Sequence, residues 1–192
     1  MKFLSSAFAL LSCAMVTGGL LAACSTSSYV PDQKPTFYRN LSAPGSEVDG
    51  VAAASMISGY RANKGLGPVV LDPTLNKLAK QHAVAMARKT KVGHDVGDGP
   101  LDKRARAEGY AYARIAENVA GGYQTLAEAF SGWRDSPDHN KNMLMPKATR
   151  IGIGVAQAPG FKYKVFWSMV VAEPDTSPTP VMAGPPIIGL MQ

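Results

Sequence analysis

Three histidines and one glutamate in an unusual setting are the side chains of this sequence best placed to move protons or hold metal ions near neutral pH. His82 shares the i, i+3, i+4, i+7 spacing of Leu75, Leu78, Ala79, Ala83 and Met86, which marks it as a core histidine hydrogen-bonded to backbone. His94 follows Gly93 in a loop, a position that taken alone describes a solvated bystander. Glu117, with Asn118, stands between Ile115 and Val119, so an acid interrupts an apolar stretch and is expected at the edge of the core. His139 falls near the start of a short helix, where the positive end of the helix dipole favours neutral imidazole, the form that binds metal or accepts a hydrogen bond. Spacing alone does not join these residues into a site.

The elements that must position them are legible from caps and periods. Val48 to Lys64 predicts a helix closed by Gly65 and Gly67. Asp72-Pro73 supplies a capping side chain and a first-turn proline for a second helix that stops near Thr90. A shorter helix is expected from Pro100 to Glu108, and another starts at Thr125, with Glu128 completing a reciprocal capping box. Ser136-Pro137 repeats the cap-plus-proline signal ahead of His139. Ile151, Ile153 and Val155 alternate with Gly152 and Gly154, and Phe161 to Ala172 alternates again after Pro159-Gly160, which predicts an antiparallel hairpin. Its glycine face invites close approach of a helix. Gly152-Ile153-Gly154 is no dinucleotide loop, because it lies inside a strand and precedes another strand.

The ends read differently from the middle. Met1-Lys2 is a short positive n-region, Phe3 to Leu21 is mostly apolar, and Leu21-Ala22-Ala23-Cys24 is a small-residue cleavage site with a thiol directly after it. That pattern predicts a lipoprotein signal peptide over 1–23 and lipid attachment (palmitate among the acyl groups) at Cys24, placing the protein in a bacterial cell envelope. Ser25, where aspartate would favour inner-membrane retention, leans towards the outer membrane by resemblance to other lipoproteins. Residues 24–46, rich in Ser and Thr and then punctuated by proline, predict a tether with an r.m.s. span of roughly 25 Å. A domain is expected over 47–174 and a Pro-rich tail, disordered or loosely docked, over 175–192. Of the chain's two cysteines, Cys13 leaves with the signal, so no disulfide is expected in the mature chain. The formal net charge is +6, but the cations are scattered without a nucleic-acid motif, and anionic head groups or envelope polymers are better partners for an exported protein.

Taken in order, Tyr60-Arg61-Ala62-Asn63, Leu71-Asp72-Pro73, His82-Ala83-Val84-Ala85-Met86-Ala87, Gly93-His94, Ala116-Glu117-Asn118-Val119 and Trp133-Arg134-Asp135-Ser136-Pro137-Asp138-His139-Asn140 resemble the blocks of the CAP (SCP-like) superfamily, which lead into its Ile-Gly-x-Gly strand, here Ile151 to Gly154. The resemblance covers about residues 55 to 172. It implies an α+β fold, an α-β-α sandwich with a small antiparallel sheet between helical layers. It also implies a cleft of two histidines and two glutamates, carried here by His94, Glu117 and His139. The second glutamate position holds Ser136, and Ala116 replaces the usual glycine.

By the same resemblance, His94 and His139 would hold a divalent metal such as zinc, and Glu117 would orient a histidine or take a proton from water. Loss of the second carboxylate at Ser136 weakens hydrolysis more than binding. The expected function is therefore a cleft that binds a small ligand, lipid or cell-envelope component. Alternatives are a metal-dependent hydrolase or protease, with Glu117 as its candidate catalytic residue, and a purely structural or protein-interaction lipoprotein. No Gly-x-Ser-x-Gly elbow is present.

Overall fold

The structure, a computed structural model, describes residues 35–175. The expected signal peptide, the lipid attachment point Cys24 and the tail beyond residue 175 lie outside the described residues. The described elements are helices α1 (Gly50–Ala62), α2 (Pro73–Lys89), α3 (Leu101–Ala107), α4 (Leu126–Asp135) and α5 (Pro137–Met143), with strands β1 (Val70–Leu71), β2 (Tyr112–Gly121), β3 (Arg150–Gln157) and β4 (Val165–Pro174).

The helices begin and end where their caps say. The Asp72 carboxylate accepts from the amides of Thr74 and Leu75 at 2.9 and 3.0 Å, and α2 ends on Thr90 in the left-handed region. Thr125 and Glu128 form the reciprocal box that opens α4. Ser136 precedes Pro137 as expected, but its hydroxyl makes no capping bond. β3 and β4 pair antiparallel as expected, although β4 begins only at Val165, because Phe161–Lys164 belong to the connecting loop.

The sheet runs in the order β1-β3-β4-β2. It is mixed instead of wholly antiparallel, because the two-residue β1 joins β3 in parallel. The alternation of strand side chains sends the sheet's residues to two layers. Ile151, Ile153, Val155, Trp167, Met169 and Val171 share one core with Ile57 of α1, Trp133 of α4 and Met143 of α5. Val170 and Ala172 pack with Leu75, Leu78 and Ala79 of α2 and Ala105 of α3, while Phe166 and Ala156 pack with Ala83 and Met86. An α-β-α sandwich results. Trp133 and Trp167 meet edge to face across the first core, with centroids 6.3 Å apart, a geometry aromatic pairs favour.

Gly152 and Gly154 are what lets α2 lie on β3. A Cβ on Gly152 would land on the backbone of Leu75 and Asn76, and one on Gly154 on the backbone of Lys80. The contact is sealed by Asn76 Oδ1, which accepts from the Ile153 amide at 3.1 Å, and by Lys80 Nζ, which donates to the Val155 carbonyl at 2.8 Å.

Residues 35–46, assigned to the tether by their composition, are instead held against the domain. Leu41 is buried in the first core, its amide donates to the Gln124 carbonyl, and Gln157 Nε2 donates to the carbonyls of Leu41 and Ser46, both at 3.0 Å. A proline-punctuated stretch without period carries no sign of a single buried leucine, so the anchoring was invisible in the sequence.

Gly154→Ala is expected to destabilise the protein by about 3 kcal/mol or more, since the displaced atoms are helix backbone and have no rotamer to change. Gly59→Ala, in the middle of α1 with open space at its Cβ, is expected to stabilise by roughly 0.5–1 kcal/mol. Urea midpoints of the two variants check both signs.

Candidate functional site

Successive residues of β2 project to opposite faces of the sheet, so Glu117 and Asn118 serve different layers. Glu117 pairs with Val170 and faces α2 and α3, whereas Asn118 pairs with Met169 and faces α5. β2 is an edge strand, so this dipeptide stands where both helical layers can be reached from the rim of the sheet.

Glu117 is buried to 1 % side-chain exposure, and a carboxylate there must be matched by donors. Arg104 Nη2 donates to both its oxygens at 3.0 and 2.9 Å, Ser168 Oγ donates to Oε1 at 2.9 Å, and His94 Nδ1 lies 3.1 Å from Oε2. Burial by itself would raise the Glu117 pKa. The His94 hydrogen bond, followed by the positive charge of Arg104, outweighs it and holds the carboxyl below its ordinary value of 4.5.

His94 takes the reciprocal shift, upward from 6.5, chiefly through that hydrogen bond with Glu117. The carboxylate can only accept, so Nδ1 carries the proton. In the neutral ring Nε2 is then left with a lone pair, on a side chain 54 % exposed.

His82 is the core histidine the helical period indicated. Its Nε2 lies 2.9 Å from the Gly93 carbonyl, which only accepts, so Nε2 is the protonated nitrogen. The 3.6 Å approach of the same atom to Glu117 is not an ion pair, because burial lowers the pKa of His82 and keeps the ring neutral. The Gly93 contact fixes the residue next to His94, so His82 helps to position the loop.

On the other layer, Asn118 Nδ2 donates to the His139 carbonyl at 2.9 Å, and Asn142 Nδ2 donates to Asn118 Oδ1 at 2.9 Å and to the Glu117 carbonyl at 3.2 Å. These bonds clasp α5 to the rim of the sheet and set the height of His139. Tyr60 on α1 donates to Asn140 Oδ1 at 2.9 Å and steadies the same helix. Burial lowers the His139 pKa first, a charge on His94 lowers it further, and Asp138 opposes both.

The structure thus brings His94, Glu117 and His139 to one rim. Ser136 lies half-buried at the foot of α5 and is not drawn into the Glu117 network. Two partners of Glu117 were missed by sequence reasoning. Ser168 carried a faint signal, as the one hydroxyl in the apolar run of β4. Arg104 carried none, since it looks like one more cation beside Lys103 and Arg106.

Among the described residues no group of three or more His, Cys, Asp and Glu could hold a metal ion. A divalent ion such as zinc would find at most two imidazoles here, His94, braced through Nδ1 by Glu117, and His139. Any further coordination would come from water or a bound molecule.

The family model described as "Cysteine-rich secretory protein family" (CAP) matches residues 54–171. The uncharacterized protein YkwD of Bacillus subtilis (strain 168) is 33 % identical over 100 residues, which amount to 51 % of this chain and 38 % of that protein. The chain thus covers well under two thirds of that relative. An outer surface protein of Borrelia burgdorferi superposes with a TM-score of 0.59 at 18 % identity, over 67 % of this chain and 98 % of its own. An extracellular protein containing an SCP domain from Bacillus anthracis gives 0.57 at 21 % identity, over 64 % and 39 %. At such identities the likeness to the solved structures concerns the fold.

Glu117→Gln leaves the Arg104 charge without its counter-ion in the core and is expected to cost about 3–5 kcal/mol in urea unfolding. The proton balance carries a sign as well. With its folded pKa lowered, Glu117 contributes stability above 4.5 that is lost as pH falls through the lowered value. With its folded pKa raised, His94 contributes stability below 6.5 that is lost as pH rises through the raised value. Their coupling is therefore complete between 4.5 and 6.5. In an NMR titration of the imidazole rings His94 is expected to inflect above 6.5 and His139 below it. Glu117→Gln should bring the His94 inflection down, and an unmoved inflection would refute the assigned contact.

Proposed function

Since the chain belongs to the cysteine-rich secretory protein (CAP) family, we propose that it is an exported lipoprotein, anchored through Cys24, whose His94/Glu117/His139 cleft binds a small ligand, lipid or cell-envelope component. The observation that carries this reading is the full engagement of Glu117. Both its oxygens are taken by Arg104, one also by Ser168 and the other by His94. A carboxylate held ionised below its ordinary range by such partners is a weak proton acceptor and a firm orienter of a ring. What it orients is His94, whose free Nε2 looks outward.

Hydrolysis would need a base, and the position that the family resemblance gives to a second carboxylate is Ser136. Binding needs only the two imidazoles and the space around them. A divalent metal such as zinc, if bound by His94 and His139, would supply a Lewis-acidic attachment point for a ligand atom. Glu117 would then set the ring orientation of His94, and Asn118 and Asn142 the placement of His139. The envelope location is supported by the signal-like residues 1–23 and by the extracellular and surface labels of two structural relatives. The leaning to the outer membrane rests on Ser25 alone.

Calorimetry with zinc and with an envelope lipid extract tests the reading on the wild type, His94→Gln and His139→Gln. Binding should fall by roughly tenfold or more in both variants, with the melting temperature of His139→Gln close to wild type and that of His94→Gln lowered by loss of the Glu117 contact. If neither titrant binds and the variants change stability alone, the cluster is structural. Metal-dependent cleavage of a peptide library that vanishes with Glu117→Gln would establish the hydrolase instead.

A further inference from the structure

The end of α2 and the loop between β3 and β4 share one end of the molecule. Arg88 and Thr90 line a groove together with Pro159 and Phe161, and Tyr163 stands with Val92 over Gly121. Five exposed cations gather there: Arg88, Lys89 and Lys91 from the helix end, and Lys162 and Lys164 from the loop. Among the described residues none of the five forms an ion pair. Neither residues 73–94 nor residues 139–172 contain an Asp or Glu, and the nearest acids along the chain, Asp95 and Asp98, lie in the adjoining loop.

The loop also exposes two aromatic rings, Phe161 at 54 % and Tyr163 at 36 %, interleaved with the lysines as Phe-Lys-Tyr-Lys. Lys162 Nζ sits 5.4 Å above the Tyr163 ring, so its methylene stem lies along the aromatic surface. Rings that sit at head-group depth, flanked by amines that meet phosphate, match the chemistry of a lipid–water interface.

The path of the chain agrees. The Leu41–Ser46 strap is held by Gln157, which also lines the groove with Phe161, and from the strap the chain leads back towards Cys24 through Pro35–Phe37, which lie against α1. Eleven peptide steps separate Cys24 from Pro35, at most about 40 Å of chain. We propose that this Arg88/Lys89/Lys91 and Phe161–Lys164 tip is a contact surface for an anionic phospholipid membrane. A cavity of about 480 Å³ lined by Lys89, Lys91, His94 and Asp95 adjoins this surface.

The described residues 35–175 fall within one compact unit, and a fragment from residue 33 onward lacks Cys24, which separates this surface from any lipid anchor. It is to be sedimented with vesicles of phosphatidylcholine alone and of phosphatidylcholine mixed with phosphatidylglycerol. Binding is expected only to the anionic vesicles and should be lost near 1 M salt, where charges are screened beyond about 3 Å. Lys162→Glu with Lys164→Glu, and separately Arg88→Glu with Lys89→Glu, should each weaken binding about tenfold or more, since each reversal replaces attraction by repulsion. These side chains are exposed, and an unchanged near-UV circular dichroism spectrum confirms the fold of each variant. Equal binding to neutral vesicles, no binding to anionic ones, or binding that survives charge reversal overturns the proposal. So does a soluble acidic polysaccharide that binds as tightly and is indifferent to Phe161→Ser with Tyr163→Ser. Lys162→Glu with Lys164→Glu, outside the cleft, should leave zinc calorimetry unchanged, so failure of the cleft reading, on which this inference does not rest, and failure of this one are told apart.

Discussion

A single buried carboxylate organises the rim of this domain. Glu117 cannot be charged in the core without donors, and those it has come from three separate elements: Arg104 from α3, Ser168 from β4, and His94 from the loop behind α2. Each must be correctly placed for the others to be tolerated, since an unmatched ion in a low-dielectric interior costs several kcal/mol. The network holds the short helix α3, whose seven residues would not persist alone, and aims an otherwise exposed loop histidine.

The same logic recurs at Arg61, solved in another way. That side chain is fully buried at the end of α1 and forms no ion pair among the described residues. Carbonyls satisfy it: Gly67 at 2.8 Å, Met143 at 2.9 Å, Met145 at 2.8 Å and Ala148 at 3.0 Å. A guanidinium presents five donors in a rigid fork, so it can gather the ends of a loop that no regular hydrogen-bond ladder serves. Arg61 thereby ties α1 to the segment that follows α5, and α5 carries His139. Two buried charges, one met by ionic partners and one by backbone, thus fix the histidines from opposite layers of the sheet.

This division bears on what the cleft can do. A carboxylate already engaged by arginine, serine and histidine acts as a fixed brace, which leaves Nε2 of His94 and the ring of His139 as the groups open to a partner. Burial and mutual repulsion keep His139 neutral more readily than His94, so the two rings differ in charge over the pH range around 6.5. In the proposed binding cleft, this unequal pair of imidazoles would meet a polar group or an ion.

The helices were legible in the sequence because their signals are local: the Asp72-Pro73 cap, the Thr125–Glu128 box, the period of α2, and the glycine face that admits it to the sheet. β2 was not recognised as a strand, because Ala113 and Arg114 are exposed while Glu117–Ala120 are buried in succession, so its residues show no clean alternation. His94, Glu117 and His139 were placed by their resemblance to a family pattern, and His82 by helical spacing. Only the tertiary structure decided that Arg104 and Ser168 complete the site, that Ser136 stands aside from it, that Leu41 pins down what composition marked as tether, and that β1 makes the sheet mixed. Caps and periods are written within a few residues of one another. The partner of a buried charge is set by which distant elements pack beside it, and no spacing along the chain records that.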